Sequence, residues 1–196
     1  MNALNRIILG WSRQWWAWPG SVLLFALSFW SLFLIGDRFA AATAGYQAFD
    51  LQNPLTVTEM LEQLPLYSAE SRAIYWLFVL ADTIFPALAA LPFALLLGRA
   101  LLTLHPGLAQ RGLALVPFIA MLLDWVENIC YVLAIQLYPA DVTLWATLGV
   151  ALKNTKIGFG VVSNFAILLL ALVAAVRWAQ LRYARGSEAR QSPEQR

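Results

Sequence analysis

The chain has 196 residues, of which 61% are hydrophobic and 12% charged, with nine Trp, one Cys and one His. This departs from the make-up of a soluble domain and reads as a polytopic membrane protein. A lone Cys and a lone His exclude a disulfide framework and a conventional zinc site, so no cofactor and no metal are expected. The net charge of +2 gives no reason to expect a nucleic-acid partner; the lipid bilayer is the expected one.

At the start of the chain, Leu4, Ile7, Ile8, Trp11, Trp15 and Trp18 recur at spacings of three and four, with Asn5, Arg6, Ser12 and Arg13 on the other side. This is the pattern of a short amphipathic helix lying on the cytoplasmic leaflet. Four apolar stretches follow, at about 18–36, 73–98, 113–138 and 157–176, near the 20 or so residues a helix needs to cross ~30 Å of hydrocarbon. Ala42-Thr43-Ala44 resembles a signal-cleavage site, but the long segment before the apolar run, and Trp18 and Pro19 at its start, favour a retained span.

Charge sets the expected orientation. Arg6, Arg13, Arg99, Arg111, Arg177 and Arg182 flank the spans on one side, whereas residues 37–72 hold Asp37, Asp50, Glu59, Glu62 and Glu70 against Arg38 and Arg72. By the positive-inside rule both termini are cytoplasmic. Within that outer connection, Thr56-Val-Thr-Glu59 forms a capping box with Leu55 and Met60 placed as a hydrophobic staple, predicting a short helix over 57–64. That helix either packs on the outer surface or lids the bundle. Ser68 is placed to cap the second span. Residues 186–196 read as a disordered cytoplasmic tail. The expected fold is therefore all-α, a four-helix transmembrane bundle with an N-terminal interfacial helix and a short helix in the outer loop.

The third stretch is the most informative. It carries Asp124, Glu127, Asn128 and Tyr131 within an arc of about 100° on one helix face. Ionisable groups at membrane depth cost roughly 2.5–3.5 kcal/mol each on insertion scales, so they face a bundle interior and mark functional sites. Asp82 in the second span reaches nearly the same depth from the opposite chain direction. Pro86, four residues on, lacks the N–H that would bond the Asp82 carbonyl. Three carboxyls close together in a poor dielectric do not all ionise, and at least one is expected to be neutral at pH 7.

Lys153 and Lys156 are the available counter-charges. As interfacial anchors they would snorkel outward; were the fourth helix to begin near Val142, Lys156 would tip toward Glu127. The candidate ligand or proton site is thus Asp82, Asp124, Glu127, Asn128, Tyr131 and Lys156. Ala90, Ala94, Gly98, Gly160 and Asn164 read as helix-packing positions, and His105 and Cys130 receive no role.

Asp82-Thr-Ile-Phe-Pro86 followed by Asp124-Trp-Val-Glu127-Asn128, together with Phe49-Asp-Leu-Gln, resembles a pattern in small uncharacterised bacterial membrane proteins with four helices. The resemblance spans about residues 45–130 and implies the architecture but no activity. The expected location is the bacterial inner membrane. Three functions stay open. One is a membrane component that binds or moves a proton, a cation, or a lipidic or basic small-molecule ligand; with four spans and no inverted repeat, a complete transporter would be a homo-oligomer. The second is an intramembrane enzyme using carboxyl acid–base chemistry on a lipid or isoprenoid. The third is an assembly or scaffold protein.

Overall fold

Several helix starts in this chain are written by short polar side chains, and the structure shows where each acts. In a computed structural model that describes residues 2–191, with side chains through residue 184, no strand occurs among the described residues. Asn2 accepts a hydrogen bond from the backbone of Asn5 and opens α1 (Ala3–Ser12). α2 (Ala17–Ala42) follows almost at once. Thr56 accepts from the Glu59 amide at 3.2 Å while Glu59 Oε2 accepts from the Thr56 amide at 2.8 Å, so the expected capping box forms and starts α3 (Val57–Gln63). A 3-10 turn, Leu64–Leu66, ends it. Ser68 caps α4 (Ala69–Leu104) by accepting from Ser71. A short α5 (Pro106–Gln110) leads to α6 (Phe118–Leu137), and α7 runs from Thr143 to Gln191. Of the tail expected to be disordered over 186–196, residues 192–196 lie outside the described residues.

Four of these helices are long and apolar enough to cross a bilayer. In α2, α4 and α7 the ends lie beyond the apolar stretches, whereas α6 falls within the stretch 113–138. The second runs from Ala69 to Leu104 rather than over 73–98, and the fourth begins at Thr143 rather than near 157. Hydropathy marks only the lipid-like centre of a helix; the flanking turns are amphipathic and held by caps, such as Asp141 Oδ1 accepting from the Thr143 amide at 2.9 Å.

α4 is the central element, packed against α2, α6, α7 and α1. The core has two parts. Toward the end that carries residues 43–68, here the loop end, it is aromatic: Phe39, Phe49, Tyr67, Tyr75, Phe78 and Tyr131 are buried together. Toward the opposite end it is aliphatic, with Ile8 and Leu9 of α1 against Ala94, Leu97 and Leu101 of α4. Close approach is built from small residues. A Cβ on Gly98 would lie 2.5 Å from Ser12 Oγ, and one on Gly149 would lie 2.6 Å from the Tyr131 ring.

α1 settles on α4 by the face carrying Asn5 and Ser12. The sequence pattern points the other way, since Leu4, Ile7 and Trp11 form its larger apolar stripe and stay exposed. The polar face is tied down through its donors: Asn5 Nδ2 donates to the Ala109 carbonyl at 2.9 Å and Ser12 Oγ donates to the Ile8 carbonyl at 2.7 Å, while Asn5 Oδ1 is buried without a partner. Exposed Leu23, Leu27, Trp30 and Leu34 on α2, and Val161, Phe165, Leu168 and Leu172 on α7, add to a wide apolar outer surface. Surfaces of this extent are not left to water.

Candidate functional site

The α6 stripe forms as its periodicity requires: Asp124, Glu127, Asn128 and Tyr131 are all buried on the face turned to α4 and α7. Asp82, on the facing side of α4, meets it directly. Asn128 Nδ2 donates to Asp82 Oδ2 at 2.8 Å and to Asp124 Oδ2 at 3.2 Å, so one amide bridges two carboxylates. One residue on from the carbonyl that Pro86 leaves unpaired, Trp125 Nε1 donates to the Thr83 carbonyl at 3.0 Å and adds a second tie between α4 and α6.

Lys156 enters because α7 begins at Thr143, which puts it thirteen residues into a helix packed on α6. Its Nζ lies 2.6 Å from Asp50 Oδ1, 2.6 Å from Asp124 Oδ1 and 2.6 Å from Glu127 Oε2. The first two contacts are aligned hydrogen bonds. The Glu127 contact is an ion pair without that alignment, and both Glu127 oxygens stay free of hydrogen bonds. The structure therefore brings Asp82, Asp124, Glu127, Asn128, Tyr131 and Lys156 into one place.

Asp50 is the site residue that pattern reasoning missed. It belongs to a 3-10 turn, Phe49–Leu51, in the connection after α2, and nothing about local periodicity places a loop aspartate among helix residues more than seventy positions away. Its signal was its setting, an acid between Phe49 and Leu51 in a polar segment. Phe49 is the anchor: its ring packs 5.5 Å from Tyr67, 5.9 Å from Tyr75 and 5.5 Å from Tyr131, filling the middle of the aromatic core. Lys153, one turn before Lys156, is buried and donates to the carbonyls of Phe49 at 2.7 Å and Asp50 at 2.8 Å. It clamps the loop's backbone and does not serve as an interfacial anchor. Residues 49–51 thus close the loop end of the site, and α3 helps to hold them there: Gln52 and Gln63 exchange two side-chain hydrogen bonds, at 2.7 and 2.9 Å.

Burial opposes charge on Asp50, but the Lys156 ammonium in contact with it, with Lys153 beyond, holds its carboxyl below the usual aspartate range. One oxygen each from Asp50, Asp124 and Glu127 lies within 4.8 Å of the others, a set able to hold a hard divalent cation. Those carboxylates are the ones Lys156 engages, so the ammonium stands where such an ion would sit. Counting Asp82, four carboxyls face two lysines, and one of these is committed to backbone carbonyls. Buried polar atoms without partners surround the cluster: Asp82 Oδ1, Asn128 Oδ1, and the hydroxyls of Tyr67, Tyr75 and Tyr131.

On the side away from the loop, the cluster opens into a groove of about 320 Å³ between α2, α4, α6 and α7. Its walls are apolar, with Phe25, Phe85, Pro86, Phe93, Pro117 and Met121, and it ends on Asp50, Asp124 and Lys156. Ala90, Gly160 and Asn164, read from sequence as packing positions, line it. A Cβ on Gly160 would meet nothing within 4 Å, so the glycine there makes space and not contact. Neither a family of proteins, nor a curated protein, nor a solved structure matches the chain.

Proposed function

We propose that the protein is a multi-pass component of the bacterial inner membrane that takes the basic head of a membrane-embedded amphiphile into the Asp50–Asp124–Glu127–Lys156 cluster. One observation carries this reading: an apolar groove that ends on an acidic cluster sealed on its loop side by Phe49 and Asp50. A ligand reaching such a groove comes from the bilayer, tail along Phe85, Phe93 and Met121, head toward the carboxylates. The excess of carboxyls over free ammonium groups selects a head that brings positive charge. The Asp82, Asn128 and tyrosine oxygens left without partners supply further acceptors.

The orientation belongs to the same proposal. Arginines gather at the end opposite the loop, which supports an orientation with both termini in the cytoplasm and residues 43–68 outside. An impermeant thiol reagent on intact cells is expected to label Thr58→Cys and spare Ser187→Cys; the reverse pattern inverts the protein.

The ligand reading is tested with the detergent-purified protein and three probes of equal chain length, dodecylamine, dodecanol and laurate. Dodecylamine is expected to raise the melting temperature, dodecanol and laurate are not. Gly160→Leu adds a side chain in the groove at a position where a Cβ meets nothing within 4 Å, and it improves helix propensity, so it is expected to keep the fold and abolish the shift. Equal shifts from all three probes, or a dodecylamine shift undiminished in Gly160→Leu, would reject the assignment.

A further inference from the structure

The end of the bundle opposite the loop has a crevice of its own, away from the acidic cluster. Between α1, α4 and α7 lie two adjoining hollows of about 280 and 460 Å³ that share Arg99, Thr103 and Trp178. The floor of the first is Leu96, Ala100, Ala171, Ala174 and Ala175, where a run of alanines on α7 leaves a trough against α4. Arg13 and Arg99 stand at the rim, both exposed. The other two arginines nearby are engaged within the protein: Arg177 donates to the Leu104 carbonyl at 3.4 Å, and the Arg182 guanidinium lies 4.3 Å over the Trp178 ring. Arg13 and Arg99 make no such side-chain contact among the described residues. Among the described side chains no acid offsets them at this end, because residues 2–36, 83–123 and 142–184 contain no Asp or Glu.

A pair of forked cations at the mouth of an apolar trough, with a tryptophan on its flank, matches a phosphodiester that carries an acyl chain. We infer that this crevice binds one anionic phospholipid, its phosphate held by Arg13 and Arg99 and one chain laid along the α4–α7 trough. A general bias of arginine toward the cytoplasmic side accounts for the charge of this end, but not for two unpaired arginines lining one hollow that adjoins the trough; Arg6 and Arg111 lie on the same end outside it. The site is independent of what the acidic cluster binds and requires only that the helices sit in a bilayer.

The test is native mass spectrometry of the full-length protein with phosphatidylglycerol or phosphatidylcholine added to the detergent. Wild type is expected to keep one phosphatidylglycerol at collision energies that strip phosphatidylcholine. Arg13→Gln/Arg99→Gln is expected to weaken retention about tenfold or more, while Arg6→Gln/Arg111→Gln, which changes charge equally, leaves it intact. Ala171→Leu fills the trough with both guanidiniums in place and is expected to lose the lipid as well, which covers the case of a double variant that fails to fold. Glycerol phosphate, with the head but no chain, is expected to bind neither protein detectably. Equal retention of both lipids, equal loss in the Arg6/Arg111 pair, persistence of the lipid in Ala171→Leu, or a lipid-free dimer joined at this face would overturn the inference.

Discussion

The two ends of this bundle are held together by different physics. At the loop end, charges are buried and face inward: Lys156 joins the loop, α6 and α7 through three carboxylates, and Lys153 fastens the Phe49 and Asp50 backbone. At the opposite end the arginines of α1 and α4 point outward, and packing of Ile8, Leu9 and Ser12 against Gly98, Leu97 and Leu101 does the holding. Buried charge is a poor source of net stability, since desolvation offsets most of the attraction, but it is unforgiving when one partner is removed. The difference teaches that the loop end is specified by pairing and the other end by shape. Only the first has buried charge pairs to rearrange when a cationic head arrives.

The sharpest way to break this contrast is Lys156→Met. It leaves Asp50, Asp124 and Glu127 around an apolar side chain, and removal of one member of a buried charge cluster typically costs about 3–5 kcal/mol. Thermal unfolding in detergent is expected to show this as a large fall in melting temperature, with much of it recovered in Lys156→Met/Glu127→Gln. A melting temperature close to that of wild type in the single variant would mean that the cluster does not hold the loop end together.

A matched pair of glycine substitutions probes shape at both ends. In Gly149→Ala the new methyl meets Tyr131 ring carbons at 2.6 and 2.8 Å, and that ring is wedged against Phe49. Overpacking of this kind costs about 1–3 kcal/mol. In Gly98→Ala the nearest atom is the Ser12 hydroxyl, on a short helix that can shift, and the gain in helix propensity of roughly 1 kcal/mol offsets the crowding. Comparable losses in both variants would erase the distinction between a locked end and an adjustable one.

A smaller effect concerns acid. Because the Asp50 carboxyl is held below its ordinary value of 3.8 by Lys156, its contribution to loop docking is fully present above that value and is lost as pH falls through the lower, folded-state value. A fluorophore on Thr58→Cys is expected to report a loop docked from neutral pH down to about pH 4 and released below it. Asp50→Asn removes this acid-dependent step and loosens the loop at every pH. Release already complete at pH 5 would contradict the Lys156 pairing.

The smallest expected change is Thr56→Ala, which removes the capping box of α3 at a typical cost of about 1 kcal/mol. It is expected to raise amide exchange over residues 57–63 and leave the four long helices unaffected. Exchange that spreads into α6 or α7 would show that the loop and the bundle unfold as one unit.

Local chemistry accounts for what was legible. Thr56, Glu59 and Ser68 announce helix starts because a cap satisfies donors within three residues of itself. Asp124, Glu127, Asn128 and Tyr131 share a face because 3.6 residues per turn require it. Four stretches of lipid-like composition set the number of long helices.

Tertiary structure alone decided the rest. Asp50 joins the site only because the Phe49 ring finds a socket formed by Tyr67, Tyr75 and Tyr131, and such long-range aromatic packing leaves no period in the sequence. Lys156 points inward because α7 starts fourteen residues before its apolar stretch, a boundary set by Asp141 and by packing on α6, to which hydropathy is blind. α1 buries its more polar face because Ala109 offers a carbonyl to Asn5 and Gly98 offers room to Ser12. Composition reports how much a segment prefers oil to water. It does not distinguish an apolar side chain facing lipid from one facing protein, and that distinction places every residue of the groove.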